Sequence, residues 1–236
     1  MMSSFFIVVV CGIGLLLLCA IVWRVLIRRV SLPCPPSFIW LLENKVMERV
    51  AGGAVIIQRA RIAEGMRVLD AGCGAGRLTI PIARHVGANG HVVALDVQSA
   101  MLARLADRVA KHALTNVTAV HAPLGQGDIA SSGQGPIGRD EFDRAIMVTV
   151  LGEIPDKIPA LREVHDSLKP GGILSVTEVL PDPHYQSKAA VRRMAKEVGF
   201  EVEEAYSGLR SFTFNLIRAG GPQQPAGPVS PVTACP

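Results

Sequence analysis

The sequence predicts an α/β domain, a doubly wound and mostly parallel sheet covered by helices on both faces, preceded by one membrane-spanning helix. Three observations predict it. Between residues 66 and 198, apolar runs of strand length alternate with amphipathic runs of helix length, the pattern of βαβ units. A glycine-rich turn joins the first of these strands directly to a helix. Ahead of both, residues 5–23 carry no charge.

The N-terminal run, FFIVVVCGIGLLLLCAIVW, is followed by Arg24, a short apolar continuation over 25–27, and then Arg28 and Arg29. A helix needs about 20 apolar residues to cross a bilayer core; this run is long enough, with Arg24 snorkelling toward the interface. A cleaved signal peptide is the competing reading, but it carries its basic residues before a shorter apolar stretch, and Met1, Met2, Ser3 and Ser4 supply none. Cys19 follows only leucines where a lipoprotein signal has small residues. The bilayer is thus the expected partner of residues 5–27. Positive charge on the C-terminal flank places the N-terminus outside and the rest in the cytoplasm, a single-pass protein of the cell (inner) membrane.

The chain has 236 residues, enough for one ordinary domain with appendages. We divide it into an anchor (1–30), a linker with an amphipathic helix (31–53), the α/β domain (54–218) and a disordered tail (219–236). Residues 31–36, SLPCPP, form a stiff linker because each proline fixes φ. Ser37 caps a helix over 38–50 whose patch of Phe38, Ile39, Leu41 and Leu42 packs on the domain; an interfacial helix or lid is the alternative. Gly52-Gly53 breaks the chain, and 54–63 is helical. Strands follow at 66–71, 91–95, 117–121, 142–150 and 172–179, with two closing candidates at 201–206 and 210–217. Helices fall at 77–86, 99–113, 157–168 and 188–198. In 99–113, Met101, Leu102, Leu105 and Val109 share one face. Asp156 is placed to cap the 157–168 helix, where Pro159 is tolerated in the first turn. The stretch 123–140 is rich in Gly and Ser and reads as a surface loop; the tail GGPQQPAGPVSPVTACP cannot build a core.

Composition excludes several classes. Net charge is +4 with aromatic residues at 5%, too mild a charge and too few stacking platforms for nucleic acid. The small positive excess also suits anionic head groups. Mean hydropathy is +0.34, much of it from the N-terminal run. Five cysteines form no Cys-x-x-Cys pair, and no histidine stands at zinc spacing from them, so neither a disulfide framework nor a metal site is expected. His85, His91, His112 and His165 fall on helix or strand surfaces and read as structural or solvated.

The stretch Val68-Leu69-Asp70-Ala71-Gly72-Cys73-Gly74-Ala75-Gly76 carries the chemistry. Its glycines permit a tight turn and close approach of the backbone to a ligand, and the following helix presents free N–H groups to an anionic group. Dinucleotides and S-adenosylmethionine both use such sites. The dinucleotide fingerprint needs its third glycine at position 77, where Arg77 stands. Asp70 precedes the glycines; it would repel a pyrophosphate and attract the ammonium of an amino-acid ligand. Asp96 ends the second strand, placed to accept hydrogen bonds from ribose hydroxyls, with Val97 against the adenine face.

VLDAGCGAG, VVALD, the strand opening at Phe142-Asp143, and Leu168-Lys169-Pro170-Gly171-Gly172 together resemble the class I S-adenosylmethionine-dependent methyltransferases. The likeness is to the branch with the ubiquinone/menaquinone C-methyltransferases and bacterial phospholipid N-methyltransferases, and it covers about residues 50–218. It implies a Rossmann-like, seven-stranded sheet with an antiparallel last strand and S-adenosyl-L-methionine as cofactor. Asp70, Ala71, Gly72, Cys73, Gly74 and Gly76 would hold the methionine end, and Asp96 and Val97 the nucleoside. Members often carry an acid after the third strand for the adenine amine. Here His121-Ala122-Pro123-Leu124 follows and the first acid is Asp128; backbone contacts to adenine are favoured over Asp128 folding back. Cys73 reads as a small apolar filler rather than a reactive thiol.

The fold names no catalytic group. Candidates are the residues at strand ends facing the cofactor: Thr149, Leu151, Gly152 and Glu153 after the fourth strand, Glu178 at the end of the fifth, and Asp182, Pro183, His184 and Tyr185 beyond it. Glu153, His184 and Tyr185 are the expected catalytic residues, against the plain reading of a helix-entry acid and loop surface groups. The anchor points to a lipophilic or membrane-resident acceptor, a phospholipid amine or a quinone. A small lipophilic thiol or other small molecule is the alternative, and a non-catalytic binding module or a nicotinamide oxidoreductase ranks below both.

Overall fold

The computed structural model describes residues 6, 12, 14, 45–126, 137–180 and 182–220. The 5–27 run (apart from three isolated residues), the 31–36 linker, the Ser37 cap and the 38–44 part of the following helix, Asp128 and the tail beyond Gly220 lie outside them. Among the described residues no helix is long and apolar enough to cross a membrane.

In chain order the elements are α1 (Lys45–Ala51), α2 (Gly53–Arg59), β1 (Arg67–Ala71), α3 (Thr79–Val86), β2 (His91–Asp96), α4 (Ser99–Lys111), β3 (Val117–His121), β4 (Phe142–Val148), α5 (Lys157–Ser167), β5 (Leu168–Val179), α6 (Lys188–Val198), β6 (Phe200–Ser207) and β7 (Ser211–Arg218). One seven-stranded sheet has the order β3-β2-β1-β4-β5-β7-β6. β1 to β5 are parallel where they pair, and β7 is antiparallel to both β5 and β6. This is the expected α/β Rossmann-like sheet, with its switch point between β1 and β4.

Alternation along the strands builds two cores. Val68, Val92, Ile146 and Val148 face α1, α2 and α3, meeting Met47, Ile56, Ile82 and Val86. Leu69, Val93, Ala145 and Met147 face the other way, with Leu161 and Val164 of α5, Val191 and Met194 of α6, and Phe212 and Phe214 of β7. Each central strand is thus apolar on both faces, as a doubly covered parallel sheet requires. In α4, Met101 and Leu105 are buried and Leu102 and Val109 pack partly.

Several boundaries differ from the sequence reading for local reasons. α3 starts at Thr79 rather than 77, because Gly76 has φ +87° and cannot continue a helix. β4 stops at Val148, two residues short, where Thr149 turns to φ +58°. β5 starts at Leu168 rather than 172: Leu168 already pairs with Phe142, and a register shift beside Gly171 (φ +77°) absorbs the irregularity. α2 ends at Arg59, before Arg61 at φ +51°. Asp156 stands at the head of α5 without a side-chain capping bond. α6 has the real cap, where Ser187 accepts from the Ala190 N–H.

Candidate cofactor and active site

The site forms where the C-terminal ends of β1, β2 and β4 meet. β1 delivers Asp70, and Gly72 (φ +79°) turns the chain back on itself. The Gly72 and Cys73 N–H groups donate to the Leu95 carbonyl at 2.8 and 3.0 Å, tying the turn to β2. A Cβ at Gly72 would stand 2.4 Å from the Val150 side chain, so that glycine is required by packing. Gly74 (φ +53°) differs, since a Cβ there would meet nothing within 4 Å.

Asp96 is held by backbone. Oδ2 accepts from the Gly74 N–H and Oδ1 from the Gln98 N–H, both at 2.8 Å. Each oxygen keeps a free lone pair. A cavity of about 370 Å³, within the range of small-molecule sites, opens beside it; Asp70, Gly74, Asp96, Val97 and Glu153 are in its wall. Val97 is 50% exposed there. After β3, the segment Ala122 to Gln126 lines the same cavity.

Asp70 is 3% exposed. Its Oδ2 accepts from the Thr79 hydroxyl at 2.6 Å. Burial raises its pKa to about 6, with Asp96 adding to the rise and Thr79 and Arg77 opposing it. A buried carboxyl with a neutral hydroxyl donor gains strongly from a cation in the cavity. The residues present therefore fit the group the resemblance implies: an acid for the ammonium, open space at Gly74 for the methionine end, and a fixed carboxylate for vicinal hydroxyls, while the Gly72, Cys73, Gly74 and Gly76 N–H groups are used within the protein. Burial, with Asp70 and Asp96 nearby, pushes the Cys73 thiol up, which disfavours the thiolate. Thr79 had no signal in motif spacing.

Among the acceptor-side candidates, Glu153 lies in the wall of this cavity, on a turn closed by its N–H to the Val150 carbonyl at 2.9 Å. His184 and Tyr185 do not. They line a neighbouring pocket with Gly152, Lys157 and Gln186. The 150–157 turn divides the two spaces, and Gly152 is required there: a Cβ would come 1.9 Å from the His184 carbonyl. His184 is buried and Tyr185 packs edge-on against Phe212 at 5.9 Å. Glu178, at the end of β5, is the unusual group. It is 1% exposed, Oε2 accepts from the Gln186 N–H at 3.0 Å, and Oε1 has no partner. Burial above all lifts its pKa to about 8, the Gln186 bond opposing and Asp182 and Glu153 reinforcing. Sequence reading placed Glu178 at a strand end; its depth arises from β7 packing alongside. Thr149, β-branched at positive φ, is held by its N–H to the Thr177 carbonyl at 2.9 Å and stores strain at this rim.

His85, His91, His112 and His165 bond to Ile62, Thr118, Arg84 and Asp166, with none lining the cavity. Among the described residues no group of His, Cys, Asp or Glu is arranged to hold a metal ion.

Comparison with known proteins is consistent with this geometry. A family model described as a methyltransferase domain matches residues 62–209. Demethylmenaquinone methyltransferase of Listeria monocytogenes serotype 4a is 32% identical over 115 residues, 49% of this chain and 45% of that protein. Ubiquinone/menaquinone biosynthesis C-methyltransferase UbiE of Proteus mirabilis is 34% identical over 123 residues, 52% of this chain and 46% of that protein. The chain spans about half the length of these curated relatives. Among solved structures, a SAM-dependent methyltransferase from Aquifex aeolicus superposes with a TM-score of 0.70 at 23% identity, over 79% of this chain and 100% of that one. An arsenic(III) S-adenosylmethionine methyltransferase from Chlamydomonas reinhardtii gives 0.56 at 24% identity, over 69% of this chain and 66% of that one. These two likenesses concern the fold.

Proposed function

The chain belongs to the methyltransferase-domain family with S-adenosyl-L-methionine as methyl donor, and from that premise we propose a membrane-anchored enzyme that methylates a lipophilic acceptor. The observation that carries the donor site is the cavity in which Asp70, residues 72–75 of the turn and Asp96 converge. Asp70 takes the ammonium, the open space at Gly74 admits the methionine end, Asp96 takes the ribose hydroxyls and Val97 the adenine face; Gly76 faces Leu105 rather than the cavity. When bound, the cofactor supplies a methyl group already activated on a sulfonium, so the chain's own work is positioning and proton removal.

Glu153 is our candidate for the acceptor's proton, since it shares the cavity wall with the donor loop. His184 and Tyr185 are assigned to the acceptor side, across Gly152. The membrane location rests on the apolar run at 5–27 with its basic C-terminal flank, with the N-terminus outside and the domain in the cytoplasm. Two similar proteins are named for demethylmenaquinone and for ubiquinone/menaquinone biosynthesis. That favours a quinone carbon among lipophilic acceptors, with a phospholipid amine next and a small lipophilic thiol as the alternative. The test is incubation of purified protein with methyl-labelled S-adenosylmethionine and a total membrane lipid extract. We expect label in the organic phase; transfer only to a water-soluble acceptor would refute the lipophilic assignment.

A further inference from the structure

Four large apolar side chains from residue 45 onward are exposed among the described residues: Val97, Leu180, Val202 and Leu209. Val97 belongs to the cofactor cavity, and Val202 lies on the edge strand β6. Leu180 and Leu209 lie together. Ser207 pairs with Phe212, and the Gly208 N–H donates to the Ser211 carbonyl at 2.8 Å, which leaves Leu209 and Arg210 as the two-residue tip of the β6–β7 hairpin. The Leu180 N–H donates to the Arg210 carbonyl at 2.7 Å, clamping the end of β5 to that tip.

A hairpin tip of this length ordinarily takes Asn-Gly, Asp-Gly or Gly-Gly, because its turn needs positive φ. Neither Leu209 nor Arg210 has positive φ, so turn geometry gives no reason for a leucine. Packing gives none either, since Leu209 is 92% exposed. Around the two leucines stand exposed cations: Arg210 at the tip itself, and Lys188, whose Nζ donates to Ser207 Oγ at 2.9 Å.

The corner sits on the functional rim. β5 runs parallel to β4 and β1, and Val179 pairs with Ser211, so the tip projects from the same sheet edge as the glycine turn and Glu153. β7 is three strands from β1, about 14 Å. A surface that receives Leu209 therefore faces the mouth of the acceptor side. Two leucines are too little area for a stable protein interface, whereas aliphatic side chains flanked by Lys188 and Arg210 fit the boundary between acyl chains and phosphate head groups.

We propose that the β6–β7 hairpin tip docks the functional rim onto an anionic lipid surface, Leu209 and Leu180 entering the interface while Lys188 and Arg210 meet the phosphates. The docking rests on the proposed membrane setting and adds the face the domain turns to the bilayer. The test is amide hydrogen exchange on the full chain reconstituted in phosphatidylglycerol vesicles, in phosphatidylcholine vesicles, and without vesicles. Residues 207–212 should exchange several-fold more slowly with phosphatidylglycerol than with phosphatidylcholine. Leu209→Glu should erase that difference and leave S-adenosylhomocysteine binding intact, which shows that the variant folds. Equal exchange in wild type and variant on phosphatidylglycerol overturns the proposal. So does protection that appears without vesicles and grows with protein concentration, which would assign the tip to a second copy of the chain. Sedimentation with phosphatidylcholine vesicles reads the anchor and label in lipid reads the acceptor, so each claim fails separately.

Discussion

At the residue scale the site depends on three carboxyl groups in different surroundings. Asp96 is fixed by two backbone N–H donors, and its role is to accept from the ribose. Asp96→Ala should weaken S-adenosylhomocysteine binding by about 1–3 kcal/mol in calorimetry; unchanged affinity would remove it from the site. Asp70, raised to about 6 by burial, must be ionised to hold an ammonium. Affinity for S-adenosylhomocysteine should therefore fall about tenfold from pH 7 to pH 5, and Asp70→Asn should flatten that dependence while lowering affinity throughout. Glu178 acts on stability. Its folded pKa of about 8 lies above the ordinary 4.5, so the folded state holds a proton that the unfolded chain has lost between those values. Its contribution to stability is fully present below about 4.5 and is lost as pH rises toward 8, by up to about 1.4 kcal/mol per pH unit. Glu178→Gln should level this slope in denaturant melts between about pH 6 and pH 8, above the range in which Asp70 titrates; an unaltered slope there would place the titration elsewhere.

At the element scale, the glycine turn separates two demands that motif spacing presents as one. Gly72 is needed by the protein, because its Cβ would strike Val150; Gly74 opens onto free space. Gly72→Ala should therefore lower the melting temperature substantially. Gly74→Ala should cost only its left-handed φ, roughly 1–2 kcal/mol, and yet abolish S-adenosylhomocysteine binding; thermal melts with calorimetry check both. The order of strands and helices was legible because alternation and glycine punctuation are local properties. The starts of α3 and β5 and the end of β4 were not, since they depend on positive φ at Gly76, Gly171 and Thr149, which side-chain pattern does not encode. Thr79 against Asp70, and the burial of Glu178 on the strand that pairs with β7, come from packing between distant elements.

At the scale of the whole molecule, the cores among the described residues are built from residues 47 to 216, and we expect them to hold without the N-terminal run. Deleting residues 1–30 should leave a folded protein in the soluble fraction that still binds S-adenosylhomocysteine; retention on membranes would shift the attachment to 38–50 or to the hairpin tip. The donor was legible in the sequence because Asp70, the glycines and Asp96 form one contiguous pattern. The acceptor side was not, because its candidates come from two strand ends, Glu153 after β4 and Glu178 and His184 at and beyond the end of β5, and the 150–157 turn puts two of the three expected catalytic residues in a different pocket from the third. The central claim is that the cavity at Asp70 and Asp96 is a methyl-donor site. Calorimetric titration of the full chain with S-adenosylhomocysteine and, separately, with NADH tests it most directly. We predict one molecule of S-adenosylhomocysteine bound per chain and no heat of binding from NADH; tight NADH binding without S-adenosylhomocysteine binding would contradict it.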